Sequence, residues 1–212
     1  MKIALVAPTG KIGSEIAKEA LRQGHEVIGI VRSDRAAPEG LESVNFKAVD
    51  IADTAAFADA IKGADVLASA YGPQHDNIDT VAAAAEAIVA AARAAGIKRV
   101  VVIGGAGSLE VAPGLQLVDV PDFPEAYKAY ALAHRKAFNV FKTVDDLDWT
   151  FFSPAAEIGP GDKVGNYKVV AKTFLANADG HSKISYPDYA EAFVAEIEQG
   201  KFLKDIITVA YQ

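Results

Sequence analysis

The sequence predicts one α/β domain built on a doubly wound, mostly parallel sheet. Short runs rich in Val and Ile alternate with longer helical patterns along the chain, which is the signature of successive βαβ units. The short runs lack clean polar alternation, so both of their faces are expected to be covered. Four glycines, Gly24, Gly63, Gly96 and Gly200, each stand just past a helical pattern, where a residue able to take positive φ ends a helix.

Taken in order, strands are expected at 2–7, 26–31, 45–49, 66–70, 99–103, 150–153 and 206–210, and helices at 11–23, 54–61, 79–95, 124–144 and 187–199. His75-Asp76-Asn77 reads as a capping segment before the alanine-rich third helix. After Ser153 the regularity weakens. Gly159-Pro160-Gly161 breaks the chain, and 167–170 with 172–175, followed by Asp179-Gly180, predict a small antiparallel excursion. Ser185-Tyr186-Pro187-Asp188 opens the last helix, with Ser185 as its cap and an acid in the first turn.

Composition removes several function classes. The formal charge is −7 and the basic residues form no run, so a nucleic-acid partner is not expected. There is no cysteine, which excludes disulfides, thiolate nucleophiles and Cys-ligated metals. The four histidines, His25, His75, His134 and His181, lie too far apart for metal-ligand spacing. The most apolar stretch, 81–95, contains Glu86 and Arg93 and is too short for a membrane span. Met1 to Val6 resembles a strand and not a signal peptide, so a cytoplasmic location is expected.

The first strand ends in Ala7-Pro8-Thr9-Gly10-Lys11-Ile12-Gly13 and a helix follows at once. A dinucleotide diphosphate needs a tight strand-to-helix turn, backbone that can come close, and the positive end of a helix. Thr9, Gly10, Lys11, Ile12 and Gly13 are therefore the expected diphosphate residues of a Rossmann domain. Arg32 ends the second strand about 20 residues on, where an acid would select the ribose 2′-hydroxyl of NAD(H). An arginine there, with Ser33 and Arg35 near, favours the 2′-phosphate of NADP(H). Residues 1–212 thus form one domain, with 1–152 its nucleotide-binding core. Residues 153–212 are a substrate-side elaboration plus the last helix and strand.

The chain resembles the atypical short-chain dehydrogenase/reductases that bind NAD(P)H, a group including NmrA-like proteins and biliverdin/flavin reductases. It is most similar to bacterial proteins described as NADH-flavin reductases. The resemblance rests on Ala7–Gly13, on VVVIGGAGSL from Val100 to Leu109, on WTFFSP from Trp149 to Pro154, on Gly165-Asn166-Tyr167 and on ISYPDYA from Ile184 to Ala190. One departure stands out: the family's first glycine is Ala7 here, followed by Pro8, which has no amide hydrogen. The resemblance implies that Asp50, Ile51, Ala70, Tyr71 and Gly72 flank the adenine and the cofactor ribose. It places the nicotinamide near Ser108, Ser153 and Pro154.

The broader family catalyses with a Ser after the fifth strand and a Tyr-x-x-x-Lys, whose lysine lowers the tyrosine pKa. Ser108 is in place, but four residues beyond Tyr127 and Tyr130 stand Ala131 and His134. Ser108, Tyr130 and His134 are the candidate catalytic residues, Tyr130 and His134 sharing a helix face at i, i+4. The flavin-reductase relatives use a Ser and two histidines, of which Ser108 and His134 match two. The implied activity is hydride transfer from NADP(H) to a small flat acceptor, a free flavin or a quinone. The alternative is a non-catalytic NmrA-like redox sensor acting through a protein partner. An epimerase comes third, because those relatives keep the Tyr-x-x-x-Lys. A homodimer is left open by the sequence.

Overall fold

The structure is a computed structural model that describes residues 1–72 and 77–212. In chain order the elements are β1 (Lys2–Val6), α1 (Lys11–Arg22), β2 (Glu26–Val31), β3 (Asn45–Ala48), α2 (Thr54–Ala60), β4 (Val66–Ser69), α3 (Thr80–Ala95) and β5 (Arg99–Ile103). There follow a 3₁₀ turn (Ala106–Ser108), the short hairpin β6 (Glu110–Ala112) and β7 (Leu115–Gln116), α4 (Glu125–Phe141) and β8 (Asp148–Ser153). The chain continues through β9 (Glu157–Gly159), β10 (Tyr167–Ala171), β11 (Lys183–Ser185), α5 (Tyr186–Gln199) and β12 (Asp205–Tyr211).

Eight strands form one sheet in the order β10-β12-β8-β5-β4-β1-β2-β3. All neighbours are parallel except β10, which runs antiparallel to β12. The parallel strands are buried on both faces because helices cover both. One apolar core packs α2, α3 and α4 on one side, with Phe57, Ile88 and Phe141 among its members. The other core packs α1 and α5 on the opposite side, with Ile16, Tyr189 and Phe193. From β1 the chain proceeds outward to β2 and β3, then returns to lay β4 on the other side of β1. The crevice at the carboxyl ends of β1 and β4 is therefore the topological switch point, where such sheets bind ligands.

The predicted helix ends hold: Gly24, Gly63, Gly96 and Gly200 all have positive φ. The Ser185 hydroxyl caps α5 by accepting the Asp188 amide at 3.2 Å. His75 and Asp76 of the expected capping segment lie outside the described residues. Asp79 holds the N-cap position of α3 without a side-chain cap bond, and its carboxylate instead takes Lys136 Nζ at 2.9 Å.

The excursion after Ser153 differs from expectation. Residues 167–170 do not pair with 172–175; β10 joins the main sheet as its edge, beside β12. Pairing with β12 serves both strands, because β12 would otherwise expose a row of unpaired backbone groups. Lys172, at φ 64°, turns the chain out of the sheet. Thr173 then makes an isolated bridge to Glu110, whose amide donates to Lys172 O at 2.8 Å and whose carbonyl accepts from Phe174 N at 2.8 Å.

One buried carboxylate fastens the rest of this region. Asp188 accepts the amides of Val164 and Gly165, both at 2.9 Å, and the hydroxyls of Ser185 and Tyr211. A buried carboxylate is tolerated only with such a full set of donors. The acid of the ISYPDYA stretch is thus structural, tying the 160s loop, the start of α5 and the end of β12 together.

Candidate cofactor site

A cleft of about 740 Å³ opens at the switch point. Its floor is the loop from Val6 to Gly13; β2 contributes Ile30 to Arg32 with Ser33 and Arg35 beyond, and β3 leads into Val49 to Ile51. Ala70, Tyr71 and Gly72 follow β4, and Ile158 and Tyr186 reach in from the C-terminal region. Of the residues expected at the cofactor, Thr9, Gly10, Lys11, Ile12, Gly13, Arg32, Asp50, Ile51, Ala70, Tyr71 and Gly72 all lie on this wall.

The loop geometry follows from three small residues. Ala7 takes φ 57°, a left-handed conformation that costs an alanine about 1 kcal/mol and a glycine almost nothing. The chain thus keeps the family's turn without its first glycine. Gly13 is required by the protein itself: a Cβ there would stand 2.1 Å from Ala7 O and 3.0 Å from Ala70 Cβ. Gly10 is different, for its Cβ would meet only Ala7 O, at an ordinary 3.7 Å. The protein leaves room for a side chain at Gly10, so the space above it is open to a ligand.

Electrostatics point the same way. The opening turn of α1 has amides without intrahelical acceptors, and Gly10 supplies no side-chain cap. Lys11 stands in that first turn, against the helix dipole, where an acid would be the stabilising choice. Among the described residues, Lys11, Arg32 and Arg35 have no carboxylate partner, although acids outnumber bases by 28 to 21. Arg35 Nη1 donates to Thr9 Oγ1 at 3.0 Å, linking the loop after β2 to the floor. The acid on the wall, Asp50, takes the Ala52 amide at 3.0 Å in a local turn. Three cations without a carboxylate partner among the described residues, a bare helix start and an open glycine fit the diphosphate of a dinucleotide.

The remaining predicted residues lie elsewhere. Ser153 and Pro154 are buried and not on the cleft wall, and Ser153 Oγ donates to Gly105 O at 3.0 Å. Ser108, Tyr130 and His134 are not on the cleft wall either. Ser108 is 2% exposed, and its Oγ, like His134 Nδ1, is a buried atom without a hydrogen-bond partner. The GGAG glycines explain how Ser108 and His134 come to be neighbouring parts of one packing. A Cβ on Gly105 would stand 2.9 Å from His134 Cβ, and one on Gly107 would stand 2.6 Å from Ala131 Cβ. The glycines therefore let α4 press onto the 3₁₀ turn. Gln116 Nε2 donates to Ser108 O, and Arg135, paired with Asp119 at 2.7 Å, reaches Gln116 as well. Tyr127 is 66% exposed.

Burial without a charged partner holds the His134 imidazole down to about 4. At neutral pH it is uncharged, able to hydrogen-bond but a poor proton donor. Since the unfolded chain takes up this proton near pH 6.5, the neutral histidine favours the fold above that pH. Its contribution is lost as pH falls toward 4. The carboxylates of Glu19, paired with Arg22, and Asp146, paired with Arg93, are held near 2, so theirs is lost only below about pH 4.5. The melting temperature of the wild type should therefore drop between pH 6.5 and 4.5, and that of His134→Leu should stay level. Parallel slopes in a pair of thermal-melt series would refute this assignment.

Sequence reasoning missed Ile158 and Tyr186 on the wall. ISYPDYA was visible as a motif, but nothing in the string says that its tyrosine turns to the cleft.

The architecture and the cleft define a dinucleotide-binding Rossmann domain, and the comparisons with known proteins agree. Residues 8–199 match the model of a family described as NAD(P)H-binding, and the chain belongs to that family. That membership agrees with the resemblance to the atypical short-chain dehydrogenase/reductases that bind NAD(P)H. It is 35% identical to the uncharacterized protein YwnB of Bacillus subtilis over 99% of this chain and 98% of that one. A solved structure from Burkholderia pseudomallei, described as a putative exported protein, is 54% identical with a TM-score of 0.93 and full coverage of both chains. A structure from Streptococcus pneumoniae, SP1627, described as a putative NADH-flavin reductase, is 34% identical with a TM-score of 0.90, again over both whole chains. Among the described residues no helix is long and apolar enough to cross a membrane, and no cluster of side chains could hold a metal.

Proposed function

We propose that this protein is an NADPH-dependent oxidoreductase that reduces a small flat acceptor, a flavin or a quinone. The observation that carries the reading is the cleft itself: Lys11, Arg32 and Arg35 line it without a carboxylate partner among the described residues, at a helix start that no side chain caps. Thr9 to Gly13 would hold the diphosphate. Arg32, with Arg35 and Ser33, would hold the 2′-phosphate, and Asp50, Ile51, Ala70, Tyr71 and Gly72 the rest of the adenosine and the ribose. Ser153 and Pro154, which the resemblance puts near the nicotinamide, would act there only through the backbone they hold, Ser153 by its bond to Gly105 O. The name given to the S. pneumoniae relative supports the acceptor class.

The cofactor would supply a hydride, and a flavin or quinone takes up that hydride with one proton from solvent. The protein then has to bind, orient and exclude water, which is why a missing Tyr-x-x-x-Lys does not count against the activity. Ser108, Tyr130 and His134, the expected catalytic groups, are not on the cleft wall, and the proposed transfer does not depend on them. We assign the enzyme to the cytoplasm and give it a small-molecule acceptor as its partner.

A second reading has its own observation. Ser108 is buried and His134 half-buried with its Nδ1 enclosed, both off the wall, as expected of a non-catalytic NADP(H) sensor that signals to a protein. One experiment separates the two. Titration with all four nicotinamide dinucleotides, then NADPH consumption with FMN and a soluble quinone, should show NADPH binding most tightly and oxidation of NADPH with either acceptor. Tight binding of NADP⁺ and NADPH without turnover would give the sensor reading the advantage. No binding at all would end both.

A further inference from the structure

The cleft has two unlike ends. Arg32 and Arg35 follow β2, whereas Ile158 and Tyr186 belong to the segment between β8 and β12, strands across β1 from β2, and among the described residues no acid or base of that segment joins them on the wall. A dinucleotide laid with its 2′-phosphate on the arginines and its diphosphate on Thr9–Gly13 directs its nicotinamide toward β4 and this aromatic end.

Tyr186 is unusual among its neighbours. Tyr167 gives its hydroxyl to Glu191 at 2.9 Å, Tyr189 to Phe152 O, and Tyr211 to Asp188. Tyr189 also packs its ring against Phe152 and Phe193. Among the described residues the half-buried Tyr186 makes no side-chain hydrogen bond and no ring contact, and it belongs to neither core cluster. Tyr71, the other aromatic on the wall, is packed against the core. Yet the backbone of Tyr186 is among the most firmly held on the wall. It follows the Ser185 cap, precedes Pro187, and lies two residues from the Asp188 hub. Ser185 N donates to Tyr211 Oη at 3.2 Å, and β11 pairs in register with β9, Ile158 opposite Ile184 and Gly159 opposite Ser185, so that Ile158 and Tyr186 line the same wall. A rigid mount carries a large aromatic face that the protein itself does not use.

We propose that Tyr186, backed by Ile158, is the platform on which the acceptor's conjugated ring stacks against the nicotinamide end of the cleft. The acceptor class this selects is a planar ring, uncharged where it is held. The inference rests on the NADPH reading above. It places recognition of the acceptor on α5 and β9, and not on Ser108 and His134. Stacking uses the ring and not the hydroxyl, so phenylalanine should serve and alanine should not.

The test uses riboflavin, which carries no phosphate that the arginines could capture. Flavin fluorescence is titrated in the presence of saturating NADP⁺, and NADPH binding is measured separately. Wild type and Tyr186→Phe should bind riboflavin alike, and Tyr186→Ala about tenfold or more weaker, with NADPH affinity unchanged within about twofold. In turnover, Tyr186→Ala should raise KM for the acceptor more than it lowers kcat. Undiminished riboflavin binding by Tyr186→Ala, or a wild type that binds NADPH but no riboflavin, would overturn the inference and leave the cofactor reading standing. Equal losses of NADPH and riboflavin would also overturn it, assigning Tyr186 to the nicotinamide instead. A wild type that binds no NADPH would remove the reading beneath it.

Discussion

Alanine at Gly13 should destabilise the whole domain, whereas alanine at Gly10 should leave the fold intact and weaken the cofactor. The Gly13 Cβ would overlap the Ala7 carbonyl, and backbone at both ends of the contact is fixed, one by the left-handed turn and one by α1. Overpacking against backbone costs roughly 3 kcal/mol or more, which for a chain of this size lowers Tm by roughly 6–12 °C. At Gly10 the φ of −74° suits any residue, and the loss is that of a poorer N-cap, about 1 kcal/mol. A methyl group in the diphosphate's place should still cost about tenfold or more in NADPH affinity. Thermal melts with and without NADPH give both numbers. Gly13→Ala melting like the wild type would show that the overlap relaxes, and Gly10→Ala binding normally would show that no ligand approaches there.

The second large effect is expected from Arg32→Glu. In the proposed complex its guanidinium meets a dianionic phosphate, and charge-assisted bonds of this kind contribute about 1.5–3 kcal/mol. Losing them and adding repulsion should lower NADPH affinity by about 100-fold or more, while NADH gains a carboxylate able to accept from its ribose 2′-hydroxyl. The ratio of the two affinities should therefore invert. Arg35→Ala should do less, because Arg35 shares itself with Thr9. Wild-type NADPH affinity should also fall with added salt more steeply than NADH affinity, since the cations are exposed. An Arg32→Glu variant that keeps the wild-type ratio would remove the 2′-phosphate from this end of the cleft.

The parallel part of the fold was legible because its rules are local. Val/Ile runs such as Glu26–Val31 and Arg99–Ile103 must be buried on both faces, and a glycine at each helix end leaves a mark in the string. The cleft's floor was legible for the same reason: strand, turn, glycines and helix follow one another within thirteen residues. What lay beyond reach depends on contacts distant in sequence. Nothing local says that 167–171 prefers a partner nearly forty residues on to one beside it. Nor does anything local say that Ser153 turns its hydroxyl toward Gly105, or that Tyr186 faces the switch point. Ser108 and His134 are legible as candidates from the resemblance, but their position off the wall follows from how closely Gly105 and Gly107 let α4 approach.

The place of β12 between β8 and β10 bears on how the molecule is made. Strand β8 is buried along Trp149 to Ser153, and half of its backbone pairing comes from residues synthesised some fifty positions later. While the ribosome is still adding those residues, the nascent sheet carries an unpaired backbone edge and, with α5 not yet made, an uncovered Phe152 face. Until Asp205–Tyr211 slots in, the chain is at its most prone to pair with a stranger, and a holding chaperone would have most to do.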